Sequence, residues 1–184
     1  MDRAGVFIDA GYFSKLLKDH GRPRIDFQAF SEILCEKVKA ERFRTYYYDC
    51  MPFQSNPPTM EERERYASMD KFIHNLKRLD RFEVRLGRLQ YIDGSFKQKG
   101  VDVLLSIDVT KLSWRENIQK AILITGDSDF VPAVKEAKEA GVIVSVCYGS
   151  TNSTFIHDEL FNLCDNRILL DKKLLDACKR QEAP

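Results

Sequence analysis

Four aspartates carry the chemistry in this 184-residue sequence: Asp9, Asp102, Asp127 and Asp129. The last two flank Ser128 and follow Ala121-Ile122-Leu123-Ile124-Thr125-Gly126, an apolar run that ends in a hydroxyl and a glycine. A strand buried on both faces of a parallel sheet ends this way. In open α/β sheets the carboxyl tip of such a strand is where ligands bind. Asp9 closes a second apolar run, Ala4 to Ile8, ahead of Ala10-Gly11, and Asp102 follows Gly100 at a helix start. Carboxylates brought together raise one another's pKa unless a cation holds them. Mg²⁺ and Mn²⁺ prefer such oxygen shells and then bind substrate phosphates. One or two such ions activate water for in-line displacement at phosphorus. The four aspartates are therefore read as catalytic and metal-holding.

Each acid also has a plainer reading as a helix cap or turn residue, and Asp129 is best placed to cap the helix that begins at Phe130. Asp108 lies six residues beyond Asp102. At about 3.6 residues per turn it is rotated away from Asp102, toward the rim or a basic partner. A basic stretch of Arg85, Arg88, Lys97 and Lys99 precedes Asp102. Lys99, beside Gly100, is the favoured phosphate contact, with Arg88 and Lys97 in support. Tyr12, Tyr91 or Phe96 could stack on bases. Ser128 has no base partner and is read as a hydroxyl donor to phosphate or water. His20, His74 and His157 show no ligand spacing, which leaves little support for histidine-based metal or triad chemistry. Neither GxGxxG nor a Walker A loop is present.

The elements that must position these residues alternate strand and helix. Strands are expected over 4–8, 43–49, 82–86, 121–124 and 142–148, with a short edge strand over 167–170. Asp93-Gly94 signals a hairpin turn. Helices are expected from Tyr12 to Asp19, from Asp26 as cap to Ala40, from a Thr59/Glu62 capping box to Leu79, and over 101–112. Further helices follow over 130–140, from Thr154 as cap to Leu163, and from Asp171 to Arg180. This is an α/β chain with a mainly parallel sheet, read as one domain over 1–184, with its core over about 4–170 and a C-terminal helix over about 171–180.

Lys and Arg number 29 against 28 for Asp and Glu, so any nucleic-acid binding must come from a local patch. The 5 cysteines show no CxxC spacing, which disfavours a zinc site or a disulfide framework and suggests reduced thiols. With no signal peptide and no apolar run of membrane-spanning length, a cytoplasmic protein without membrane contact is expected. A homo-oligomer is compatible with the sequence.

With these residues in place, the sequence resembles the NYN domain, in particular its LabA-like branch, within the PIN-like nuclease superfamily. The matching pieces are Val6-Phe7-Ile8-Asp9-Ala10-Gly11-Tyr12, Lys99-Gly100-Val101-Asp102 continuing to Asp108, and Ile122 through Thr125-Gly126-Asp127-Ser128-Asp129-Phe130 to Pro132. His157-Asp158-Glu159-Leu160 and Cys164-Asp165 complete the pattern. The resemblance implies a Rossmann-like PIN fold with strand order 3-2-1-4-5 and helices on both faces. It also implies a metal-dependent ribonuclease site at Asp9, Asp102, Asp127 and Asp129, with Asp108 in support, and RNA as partner. Tyr12 departs from the asparagine that family members often carry shortly after the first aspartate. A non-catalytic RNA- or protein-binding module on a nuclease-like fold is the alternative, although such a protein has no need of a repulsive acid cluster. A haloacid-dehalogenase-type phosphatase fits less well, because it wants its Asp-x-Asp on the first strand.

Overall fold

The computed structural model describes residues 1–92 and 95–180. The Asp93-Gly94 turn lies outside the described residues, as do the side chains of Tyr91, Phe96 and Lys97. The chain opens with β1 (Arg3–Asp9), α1 (Ala10–Asp19), α2 (Phe27–Lys37), β2 (Glu41–Cys50) and α3 (Met60–Lys77). It continues with β3 (Phe82–Ile92), β4 (Ser95–Lys99), α4 (Val101–Trp114), β5 (Lys120–Ile124) and α5 (Val131–Glu139). Last come β6 (Ile143–Tyr148), α6 (Asp158–Leu163), β7 (Asn166–Leu169) and α7 (Lys172–Ala177).

The strands form a 7-stranded sheet in the order β4-β3-β2-β1-β5-β6-β7. All neighbours are parallel except β3 and β4. Counting only the parallel strands, the order is 3-2-1-4-5-6. The expected 3-2-1-4-5 core is present, with a sixth parallel strand at one edge and an antiparallel strand at the other. The chain winds outward from β1 to β3, then returns to the other side of β1 as β5. The switch point therefore lies between β1 and β5, above their carboxyl ends.

Both faces of the sheet are covered, which explains the unbroken apolar runs. Ile8, Tyr47, Ile122 and Ile124 pack with Phe13, Leu16, Phe30 and Leu34 on one face. Phe7, Tyr46, Tyr48 and Leu123 pack with Leu105, Val109, Phe130 and Val134 on the other. Asp26 caps α2 through Gln28 N and Ala29 N, and the Thr59/Glu62 capping box opens α3. Thr154 does not cap a helix. It ends a 3₁₀ turn (Asn152–Thr154), and α6 begins only at Asp158. The reason is that the Thr154 carbonyl is taken by the Tyr12 hydroxyl at 2.7 Å, and its own hydroxyl faces Thr151 Oγ1 at 2.9 Å.

Candidate functional site

Ile8 and Ile124 are register partners on β1 and β5, so Asp9 and Thr125 leave the sheet side by side. Thr125 Oγ1 donates to Asp9 Oδ2 at 3.3 Å. Asp9 Oδ1 accepts from Gly11 N at 2.9 Å and Tyr12 N at 3.3 Å, which caps α1. Cap and site residue are thus the same side chain, and its cap bonds fix the carboxylate's direction. One strand further on, Asp127 Oδ1 accepts from Asp129 N at 3.0 Å and closes a 3₁₀ turn over Ser128–Phe130. The cap expected of Asp129 belongs to Asp127, because the helical turn starts at Ser128 rather than Phe130. Asp102 arrives from a third direction, in the first turn of α4. Gly100, at φ 85°, makes the left-handed bend that turns β4 into that helix.

Asp9, Asp102, Asp127 and Ser128 line one open cleft of about 430 Å³. Its chemistry is uncompensated: among the described residues none of these acids takes part in an ion pair. Burial raises the Asp9 pKa against the pull of its three hydrogen bonds, and the charge of Asp127 adds to the rise. Burial also raises Asp102, with the charges of Asp9, Asp127 and Asp129 acting in the same sense. The Asp129 carboxylate is exposed and does not line the cleft; it acts on Asp102 through its charge, while its backbone N–H donates to Asp127.

Other residues with expected roles stand elsewhere. The Asp108 carboxylate accepts from the Tyr48 hydroxyl at 2.9 Å and from Arg85 Nε at 3.3 Å, and it does not line the cleft. Lys99 and Arg88 face each other across the β3–β4 ladder, outside the cleft lining. Tyr12 lines the cleft but is buried, and burial pushes its phenol up to about 12. Its ring packs so closely on Gly126 that a Cβ there would meet it at 2.6 Å, and the Phe155 carbonyl also at 2.6 Å. Tyr12 is therefore a buttress, not a surface for stacking bases.

The loop leading into α6 completes the wall. Tyr12 holds it at Thr154, and His157 N donates to Gly126 O at 3.0 Å. This places Ser153, Phe155 and His157 on the cleft, opposite Lys15 of α1. Phe155 is 63% exposed there. Lys15 and Phe155 carried no signal in the sequence, and His157 appeared only as part of the family pattern without a site role, because a loop remote in the chain closes the wall. Asp49, near the end of β2, was readable only as a strand end. Burial raises its pKa, and the charge of Asp9 adds to this.

The donor set suits a hard divalent cation, since every candidate ligand is a carboxylate or hydroxyl oxygen. Among the described residues, however, no three carboxylates, imidazoles or thiols close into a cage that would hold an ion unaided. Mg²⁺ keeps several waters and is bound through one or two carboxylates plus substrate phosphate, so an open arrangement fits it.

A profile of the NYN domain matches residues 3–171, a span holding every strand and every acid above. The chain belongs to the NYN-domain family. NYN domains are nuclease-like, are generally nucleases, and typically use divalent metals. Over 46 residues this NYN domain is 44% identical to the uncharacterized protein MJ0482 of Methanocaldococcus jannaschii, covering 25% of this chain and 19% of that protein. Over 66 residues it is 36% identical to the uncharacterized protein y4oD of Sinorhizobium fredii, covering 36% and 29% respectively. The chain thus spans less than a third of the length of either relative. Its fold is shared with the crystal structure of a protein of unknown function, VPA0982, from Vibrio parahaemolyticus. The TM-score is 0.65 at 22% identity, over 93% of this chain and 94% of that one.

Proposed function

We propose that this NYN domain is a metal-dependent endoribonuclease of the LabA-like branch, hydrolysing RNA phosphodiester bonds with Mg²⁺ or Mn²⁺. The observation that carries the reading is the meeting of Asp9, Asp102 and Asp127 on one cleft, unpaired, with Asp9 and Asp102 shifted toward the protonated form. Asp9 and Asp127 would hold the metal, with Asp102 completing its shell from α4 and Asp129 adding field. A divalent ion there would lower the pKa of bound water and offset charge on the phosphoryl oxygens.

The remaining groups act on the RNA. Lys15 offers a cation, and Ser128 a hydroxyl, to nonbridging phosphate oxygens. His157, on the cleft wall, would be the group to hold or pass a proton at the leaving oxygen. Phe155 offers an aromatic face beside the scissile phosphate. The cytosol is the proposed compartment, because all 5 cysteines are free and buried. No helix among the described residues is long and apolar enough to cross a membrane.

The test is cleavage of a mixed pool of single-stranded and structured RNA in Mn²⁺. Wild type should cut, EDTA should stop it, and Asp127→Asn should lower the rate at least about 100-fold, the upper range for losing even an indirect metal contact. If wild type leaves the RNA intact yet retains it, the nuclease reading fails and the domain is a binding module.

A further inference from the structure

On the other side of α1 from the acid cleft, a groove runs between α1, the 21–26 turn and α3. Gly11, Tyr12 and Lys15 face the cleft, whereas Phe13, Ser14 and Leu17 face the groove. The groove is continuous. Its widest section, about 980 Å³, shares Ser14, Ser68 and Phe72 with the next. That one in turn shares Phe27, Phe72, Asn75 and Arg180 with the last.

Six cations line it: Arg22 and Arg65 near the sheet, Arg24, Lys71 and Arg180 midway, and Arg78 at the far end. All six are exposed. Among the described residues, none of them forms an ion pair. Among the described residues, two carboxylates share the lining: Asp49 and Asp26, the second of which caps α2. The acids of α3 itself (Glu61, Glu62, Glu64 and Asp70) do not line it. In a chain of net charge +1, this is a local concentration of positive charge without close ion pairs among the described residues.

Its length and floor narrow the ligand. From Arg65 to Arg78 the chain advances about 20 Å at 1.5 Å per residue, too far for one nucleotide and suited to a row of phosphates. Phe72 lines every section, packed edge-on against Phe27 and Tyr47 with centroids 5.7 Å away in each case. A basic groove over an aromatic floor is how proteins track single-stranded nucleic acid. The near end lies beside the strand ends that bear the cleft: Asp49 lines the groove one residue beyond Tyr48, the register partner of Asp9, and the charge of Asp9 acts on it.

We propose that this groove binds single-stranded RNA flanking the cut, so that substrates need several unpaired nucleotides on one side of the scissile phosphate. The placement of the cut rests on the nuclease reading; the binding does not. The test is fluorescence anisotropy of a labelled single-stranded RNA spanning cleft and groove, titrated in EDTA with the whole chain. Arg65→Ala combined with Lys71→Ala should weaken binding about tenfold and make the salt slope shallower by about 1.4, at about 0.7 per phosphate contact. Arg65→Lys with Lys71→Arg should keep both. Circular dichroism should be unchanged, since both side chains are exposed.

Unchanged affinity and salt slope in the alanine variant would overturn the proposal. Duplex RNA that binds as tightly and loses as much would also overturn it. Should the variant weaken binding while wild type never cuts in Mn²⁺, the groove stands and the nuclease reading falls. Should wild type cut while the variant binds as tightly as wild type, the nuclease reading stands and the groove falls.

Discussion

The two ends of the parallel strands treat charge in opposite ways. At the amino end, ions are paired. Arg42, 1% exposed, meets Glu32 at 2.6 Å and donates to the carbonyls of Asp80 and Arg81. Lys120 meets Asp2 at 3.2 Å and donates to Val38 O at 2.6 Å. Lys138 meets Asp165 at 2.8 Å, and the other oxygen of Asp165 accepts from Val144 N at 2.8 Å. At the carboxyl end, Asp9, Asp49, Asp102 and Asp127 have backbone or hydroxyl partners or each other, but among the described residues none forms an ion pair. Burial works against both sets of carboxylates. Asp165 nevertheless ends below its ordinary pKa, through Lys138 and the Val144 N–H, while Asp9 ends above it. One end uses its charges to hold strands and helices together. The other leaves them without ion pairs among the described residues, as the proposed divalent ion would require.

The largest effect expected from breaking this contrast is at the amino end. Arg42→Ala removes a buried cation and leaves the Asp80 and Arg81 carbonyls without it. It should cost about 3 kcal/mol in urea unfolding, the low end for a broken buried pair because Glu32 stays partly hydrated. The carboxyl end should respond with the opposite sign. Asp9→Asn keeps an acceptor for the α1 cap and removes a carboxylate whose folded pKa lies above its unfolded value near 3.8. Such a charge costs stability once pH exceeds the folded pKa, and costs nothing below the unfolded one. Without divalent ions the variant should therefore be more stable than wild type at pH 7, with the gain vanishing as pH falls below 3.8. The smallest effect is at Asp165, whose folded pKa is depressed, so that its stabilisation is present above 3.8 and lost as pH falls through the folded value. Asp165→Asn should lose under about 1 kcal/mol at neutral pH, since the Lys138 pair is partly exposed. Equal signs for the Asp9 and Asp165 variants at pH 7 would erase the contrast.

Much of this was legible in the sequence where the cause is local. Ala121 to Ile124 is apolar throughout because both faces of the sheet are covered, and Asp26 and Thr59 cap the helices their spacing announces. Asp9, Asp102 and Asp127 stood at chain positions that a parallel sheet gathers, so their meeting on one cleft followed from topology. What depended on a single turn or a remote segment was hidden. The start of one 3₁₀ turn moved the cap from Asp129 to Asp127, and the bond from Tyr12 to Thr154 displaced the start of α6. Lys15 and His157 are far apart in sequence and come to line one cleft only when that loop is pinned. The basic groove was hidden for the same reason: its cations come from the 21–26 turn, α3 and the C-terminal segment, and never form a run.

The central claim is that the carboxyl end of the sheet is built to receive a cation. Calorimetric titration of Mn²⁺ into the metal-free protein tests it most directly. The account predicts saturable binding that is lost in Asp9→Asn and Asp127→Asn and kept in Asp108→Asn, whose carboxylate is already engaged by Tyr48 and Arg85. Binding of Mn²⁺ that is absent in wild type, or indifferent to Asp9 and Asp127, would contradict it.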